Sequence, residues 1–482
     1  MSELSLVERI CQAVGADRVL TRPGDVAGYY RDWLGRTEGR ARCVVLPRST
    51  QEVAAVVRLC AEAGEPVVPQ GGNTGVCGGA VPSADGRGIV LSLSRLNAIR
   101  RLDVEEDVLV AEAGCVLLDL KRRAEAADRL LPLSLGAEGS CQIGGNVSTN
   151  AGGIAAIRYG SARDLVLGLE VVLPDGRIWD GLRRLRKDNA GYRLKDLFIG
   201  AEGTLGVVTA VALKLFAAPV SSRLAWCAAD SVEAAIALLQ RCRRRFREDL
   251  AAFELMSGPL LRLVCARLGQ TPPFEAAGDW TVLVHLASGA DAATLEAGFV
   301  ETLAEAMEAG EIRDAVVARS GREEEAFWRL RHGVTEANRA HGLNVTHDIA
   351  LPVSRAASFF RQADAMVAAE FPGADVFSVS HLGDGNIHYT VTIPHARLAE
   401  AGDRADLQAR ITARVHELAM AMEGTFTAEH GIGQRYRASL ARYKSEVELD
   451  LFRRLKAAFD PQGLMNPGKL LPPADGENAP HG

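Results

Sequence analysis

Short apolar runs alternating with amphipathic stretches set the frame of this chain. After an amphipathic helix at the N-terminus (MSELSLVERICQAVG), Arg42 to Pro47 has a buried-strand pattern, and Ser49 with Glu52 three residues on reads as a helix-capping box. Val53, Val56, Val57 and Cys60 then recur at helical spacing until Gly64 ends the helix. Val67-Val68 is the next strand and runs directly into Pro69-Gln70-Gly71-Gly72-Asn73-Thr74-Gly75. The pattern predicts strands over 88–93 and 108–113, a helix over 116–129, and a strand over 165–173 that turns at Pro174-Asp175-Gly176.

The stretch from Leu133 to Gly153 organises this half of the chain. It is rich in Gly, Ser, Thr, Asn and Gln and contains no Lys, Arg or His. Glycines let backbone N–H groups approach a ligand closely, and such groups bind anions without a charged side chain. The loop at 69–75 and a third at Ile199 to Gly206 share this character, and a β-rich run to Phe216 follows. None carries the G-x-G-x-x-G fingerprint with an acidic residue about twenty positions on, so a nicotinamide-binding Rossmann site is not supported. The expected organisation is an α+β nucleotide-binding domain over 1–219, with a linker at 217–222.

Residues 220–425 read as a second α+β domain, with amphipathic helices over 231–243 and 293–310 and strands over 281–286 and 376–380. A C-terminal segment, 426–482, contains a helix expected to present Leu451, Phe452, Leu455 and Phe459 on one face. Within the second domain, DVFSVSHLGDGNIHYTVTI (375–393) reads as a hairpin centred on Asp384-Gly385, a dipeptide favoured in type I′ turns. That centre pairs Gly383 with Asn386, Leu382 with Ile387 and His381 with His388, with Cβ atoms of a facing pair roughly 5 Å apart. Two imidazoles so placed can share a metal ion, and Glu429 in TAEHGIG (427–433) offers a third ligand. Two His and one carboxylate leave positions open for substrate, as catalytic sites do. Zn²⁺ is the first choice, and Mn²⁺ or Fe²⁺ accept the same set. His430, next to Glu429, is the candidate general base.

Composition narrows the function classes. The length of 482 residues suits two or three domains, and 48% hydrophobic with 24% charged residues is a globular balance. A net charge of −6 argues against nucleic acid as a partner. No apolar run reaches the length of a membrane-spanning helix, and the N-terminus lacks the pattern of a signal peptide. The nine cysteines include no C-x-x-C pair, which fits reduced thiols and a cytoplasmic location and leaves no iron–sulfur ligand set.

PQGGNTG (69–75), GSCQIGGNVSTNAGG (139–153), RYG (158–160), KDNAGY (187–192) and FIGAEGTLG (198–206) resemble the FAD domain of the vanillyl-alcohol-oxidase/p-cresol-methylhydroxylase flavoproteins. With HLGDGNIH (381–388) and AEHGIG (428–433), the chain is similar to the D-2-hydroxyacid dehydrogenases of that superfamily, the D-2-hydroxyglutarate and D-lactate dehydrogenase group, from about Asp32-Trp33 to Lys469. The resemblance implies an α+β fold: a two-part FAD-binding domain, a substrate or cap domain, and a C-terminal segment that returns to the FAD domain. It implies FAD contacts from Pro69, Gly71, Gly72, Asn73, Thr74, Gly75, Gly136, Gly139, Ser140, Gly144, Gly145, Asn146, Thr149, Asn150, Gly153, Gly203 and Asn466. Because the first His is His285, no imidazole precedes residue 285, and FAD is expected to be bound non-covalently.

Arg331 and Thr335 lie one helical turn apart and match family residues that grip the far end of the substrate. Relatives acting on D-2-hydroxyglutarate usually carry Lys at the position of Thr346 and Asn at that of Thr390, departures that weaken the case for a dicarboxylate. The expected reaction is metal-assisted oxidation of a D-2-hydroxy acid to the 2-oxo acid, with hydride moving from C2 to flavin N5 and electrons passing to an electron-transfer flavoprotein or quinone. An O₂-using oxidase and a non-enzymatic flavin or metal-binding module are the competing readings. An iron oxygenase would leave the three Gly-rich loops unexplained. The oligomeric state stays open, with a homodimer among the options.

Overall fold

Short, buried, β-branched runs determine where the first sheet forms. In the computed structural model, which describes residues 4–274, 278–399 and 402–472, strands β1 (Val19–Leu20), β2 (Cys43–Val45), β3 (Val67–Gln70) and β4 (Ile89–Ser92) lie in the order β1-β2-β4-β3. The last three are mutually parallel, which demands a crossover between β2 and β3. The helix Thr50–Ala63 supplies it, starting where Ser49 accepts the Glu52 N–H and stopping at Gly64, with φ of 64°. The box at its start is not closed as predicted: the Glu52 carboxylate turns to the Arg48 N–H at 2.7 Å and to Arg18 at 2.6 Å.

Strands β5 (Ile99–Asp103), β6 (Val108–Glu112), β7 (Arg129–Leu130), β8 (Val166–Val172), β9 (Ile178–Gly181), β10 (Val207–Lys214) and β11 (Phe216–Ala217) follow. They form an antiparallel sheet of order β5-β6-β10-β8-β9 and a β7–β11 pair. The Gly-rich stretch between β7 and β8 is not all loop, because Ile143–Ser148 is helical with Ile143 and Val147 buried. These elements belong to a first compact unit that, among the described residues, comprises 4–152, 160–218 and 429–472. Its last segment is tied in by Val67, whose N–H donates to the Leu464 carbonyl and whose carbonyl accepts from the Asn466 N–H. The helix Glu446–Phe459 buries Leu449 and sets Phe459 edge-on against Phe198, whereas Leu451 is 57% exposed and lies off the packed face expected of it.

The second unit comprises residues 153–159 and 219–428. Strands β12 (Ser221–Ala229), β13 (Leu250–Ser257), β14 (Trp280–Ser288), β15 (Asp314–Val317), β16 (Gly342–Ala350), β17 (Asp375–His381) and β18 (Asn386–Pro394) form one antiparallel sheet of order β15-β12-β14-β13-β17-β18-β16. One face packs Ile349, Ile387, Tyr389 and Val391 against Phe299, Phe359, Phe360 and Val415. On the other face Met256, Phe377 and Val379 meet Leu260, Val264, Phe327 and Leu330. Strand β18 reads Asn-Ile-His-Tyr-Thr-Val-Thr, so its apolar side chains enter the first core and its polar ones share the second face. That two-faced strand positions the candidate site.

Candidate active site

The β17–β18 hairpin brings the two histidines together, by a different register from the one predicted. His381 faces Asn386, and His388 faces Val379. A type I′ turn needs positive φ at both central residues, but only Gly385, at 83°, has it. The loop is instead the four residues 382–385, with the Asp384 and Gly385 N–H groups donating to the His381 carbonyl. The register therefore differs by two residues, and a shift of two keeps every side chain on its face. His381 and His388 are diagonal neighbours, with ring centroids 5.3 Å apart and planes at 84°.

Each imidazole has a buried carboxylate on its Nδ1 side. Glu254 of β13, directly opposite His381 in the ladder, approaches His381 Nδ1 through Oε1 at 2.6 Å and accepts from Arg331 Nε through Oε2 at 2.6 Å. Burial alone would raise the Glu254 pKa, but the charges of His381 and Arg331 outweigh it and hold the carboxyl down to about 2. Asp348 of β16, opposite His388, has Oδ1 3.6 Å from His388 Nδ1 and accepts from Asn386 Nδ2 at 2.9 Å. Neither Glu254 nor Asp348 was singled out from the sequence. The available signal was an acidic residue in an otherwise apolar strand, Phe253-Glu254-Leu255.

Glu429 follows Ala428, whose N–H bonds to the Asp348 carbonyl at 3.0 Å. Of the three expected metal ligands, His381 and His388 belong to the second unit, and Glu429 is the first residue of the segment that belongs to the first. The donor chemistry suits a borderline divalent ion, since a metal-binding His commonly gives its other ring nitrogen to a carboxylate, as His381 does to Glu254.

The residues expected to grip substrate are only partly gathered. Thr346 and Thr390 face each other across β16 and β18, and Thr390 Oγ1 donates to Thr346 Oγ1 at 3.2 Å. Both share the sheet face of His388, because positions two apart on a strand point the same way. Arg331 and Thr335 do not lie on one uninterrupted helix: Gly321–His332 ends before Gly333 and Val334–His341 begins after it. Arg331 turns inward to Glu254, while Thr335 is exposed.

In the first unit, Pro69, Gly71, Gly72, Asn73, Thr74, Gly75, Gly144, Gly145, Asn146, Thr149 and Gly203 line one cavity. Its wall brings the 69–75 and 141–149 segments into close backbone contact: a Cβ on Gly72 would sit 2.1 Å from the Ser140 carbonyl oxygen. Among the described residues no Lys or Arg lines it, and the buried Gln142 Oε1 and Asn146 Oδ1 in the lining lack a hydrogen-bond partner. Open amides and unsatisfied polar atoms fit a polar, phosphate-bearing cofactor. Gly136, Gly139, Ser140, Asn150, Gly153 and Asn466 lie outside the lining. Asn150 accepts from Ser161 Oγ and the Arg163 N–H, and Asn466 Nδ2 donates to the Gly79 and Glu202 carbonyls.

Two further lining residues change the sequence-based picture. His430 lines this cavity although it lies far along the chain, so the absence of His before residue 285 does not leave the cavity without an imidazole. Glu202 also lines it and accepts the Ile432 and Gly433 N–H groups at 2.7 and 2.8 Å, which fixes the backbone just after His430. Burial raises the Glu202 pKa against those two hydrogen bonds.

Residues 218–470 match the FAD-linked oxidase C-terminal domain and residues 41–181 the FAD-binding domain, so FAD is the cofactor. The chain is 38% identical over 472 residues to the mitochondrial D-2-hydroxyglutarate dehydrogenase of Bos taurus, covering 98% of this chain and 83% of that protein. It is 36% identical over 463 residues to the D-2-hydroxyglutarate dehydrogenase of Xanthomonas citri pv. viticola, covering 95% of each. The fold matches p-cresol methylhydroxylase with substrate bound, at a TM-score of 0.73, 16% identity and 96% coverage of each chain. The expectation of a cytoplasmic location does not stand, because the cattle relative is a mitochondrial protein and reduced thiols do not distinguish the two compartments. Among the described residues no helix is long and apolar enough to cross a membrane. By these matches the chain belongs to the FAD-dependent D-2-hydroxyacid dehydrogenase family and has the fold of p-cresol methylhydroxylase.

Proposed function

We propose that this protein oxidises a D-2-hydroxy acid to the 2-oxo acid with the help of a divalent cation, most simply Zn²⁺, held by His381, His388 and Glu429. The observation that best supports this reading is the carboxylate-backed histidine pair beside Arg331 on one sheet face. Bound FAD supplies the acceptor for the hydride that leaves C2, and a bound divalent cation supplies Lewis acidity toward the 2-hydroxyl. His430 takes the hydroxyl proton on its ring nitrogen. Arg331 receives a substrate carboxylate through its planar fork, and Thr346 with Thr390 forms the neutral wall beside the His pair. Electrons leave to a carrier flavoprotein or quinone.

FAD is held without a covalent bond. Cys77, Cys141 and His430 are the nucleophilic side chains in the cavity wall; burial raises the pKa of the Cys141 thiol, which makes it a poor nucleophile, and His430 is assigned to the substrate proton. Acid precipitation should leave the yellow colour in the supernatant, and colour retained on the washed pellet would refute this. The overall reading is tested by following flavin bleaching across D- and L-2-hydroxy acids, with and without chelator. Reduction by D-acids that chelator abolishes is the expected result.

Three substitutions separate the roles. His388→Ala should abolish turnover and bound metal while FAD stays in place, because the lining of the flavin cavity is elsewhere in the chain. Full activity in metal-stripped protein, checked by elemental analysis, overturns the metal assignment. His430→Ala should lower kcat by about 10²–10⁴-fold with metal content preserved. An unchanged kcat across neutral pH removes His430 from the reaction.

The third substitution concerns the substrate. A distal carboxylate held without a second cation lacks a charge-assisted partner worth roughly 1.5–3 kcal/mol, or about ten- to hundred-fold in binding. Acids with short, apolar or neutral polar tails, D-lactate among them, should therefore equal or exceed D-2-hydroxyglutarate in kcat/KM. Thr346→Lys should move preference toward the dicarboxylate. A hundred-fold wild-type preference for D-2-hydroxyglutarate would show that another residue supplies the charge.

A further inference from the structure

The proposed reaction gives no part to Glu254, the single acidic residue of β13. Its side chain is 1% exposed, and each carboxylate oxygen is committed: Oε1 to His381 Nδ1 and Oε2 to Arg331 Nε, both at 2.6 Å. We infer that Glu254 is a positioning residue that couples the two arms of the site, setting the angle at which His381 offers Nε2 to a metal ion and Arg331 offers its Nη groups to a substrate carboxylate. This rests on the metal reading above.

The backbones on either side are already fixed. The His381 carbonyl accepts from the Asp384 and Gly385 N–H groups, and the helix carrying Arg331 is anchored by buried Phe327 and Leu330. What remains adjustable is the side-chain torsions, and one carboxylate restrains both. Its chemistry is specific to the task. An ionised carboxylate accepts on both oxygens, whereas Gln accepts on one and presents N–H groups at the other. Glu254→Gln therefore keeps the shape of the residue but cannot accept from His381 Nδ1–H and Arg331 Nε–H together, and a His381 that takes its proton to Nε2 instead no longer offers that nitrogen to a metal ion.

The test reads the arms separately on the flavin-loaded, metal-free protein. Zinc affinity is measured by competition with a chromophoric chelator. Affinity for pyruvate or 2-oxoglutarate, whichever binds the wild type, is measured by calorimetry. Glu254→Gln should weaken zinc about ten- to hundred-fold, the usual effect of losing a carboxylate behind a ligand, and should weaken the 2-oxo acid at least several-fold. Glu254→Asp retains the charge in the buried site and is the fallback if Gln does not fold. It should show the same paired loss, because the shortened arm cannot reach both partners. Thermal unfolding and FAD content are recorded alongside, since a purely structural ion pair would lower melting temperature while leaving both affinities in place.

Wild-type affinities in either folded variant overturn the inference. So does a loss confined to one arm, which would make Glu254 a support for that arm alone. If the wild type binds no zinc, the metal reading falls and this coupling falls with it. If the wild type binds zinc and the variants do not differ from it, only the coupling falls.

Discussion

A carboxylate in the middle of an apolar strand has to be matched, and the second unit is arranged around that requirement. Glu254 lies between Phe253 and Leu255, both in the apolar core behind the sheet, while its own side chain points to the opposite face. Removing one partner from such a buried ionic group costs about 3–5 kcal/mol, because a charge is left uncompensated. Arg331 and His381 supply the match from different elements, a helix laid on the sheet and the end of a neighbouring strand. The pairing thus links the helix 321–332, β13 and β17 at one point. It also explains why Arg331 turns inward while Thr335 does not.

The polar face on which this happens is made by strict alternation in two strands. Along β18, Ile387, Tyr389 and Val391 fill the core, and Asn386, His388 and Thr390 stand on the reverse. In β16, Val345 and Ile349 enter the same core, leaving Thr346 and Asp348 beside Thr390 and His388. A slip of one residue in β18 would put His388 among the phenylalanines. The hydrophobic burial that stabilises the sheet is therefore what holds the register of the site.

Much of this was legible in the sequence where the information is local. The helix ending at Gly64, the short strands and the 381–388 hairpin all follow from patterns within twenty residues. The hairpin register was misjudged because Asp-Gly suggests a two-residue turn, whereas the chain uses a four-residue loop with one positive φ. The face shared by the histidines survived that error, since the side-chain period is two. The remaining features depend on contacts between distant residues. Glu254 meets Arg331 77 positions on and His381 127 positions on. His430 reaches the flavin cavity because the chain returns to the first unit after 210 residues given over to the second; the motif resemblance implied that return, but not that it brings His430 to the cavity wall.

The charges gathered in this way bear on which acid the site favours. Glu254 and Asp348 place two buried carboxylates against this sheet face, and Arg331 is the cation bonded to the first of them. Because Arg331 is already opposed by Glu254 at 2.6 Å, its attraction for a second carboxylate is discounted before the substrate arrives. The Thr346–Thr390 pair adds hydrogen-bonding capacity but no charge to offset the dianion. A lysine at 346 would restore the balance for two carboxylates. On the proposed reading, the face without it suits an acid with one.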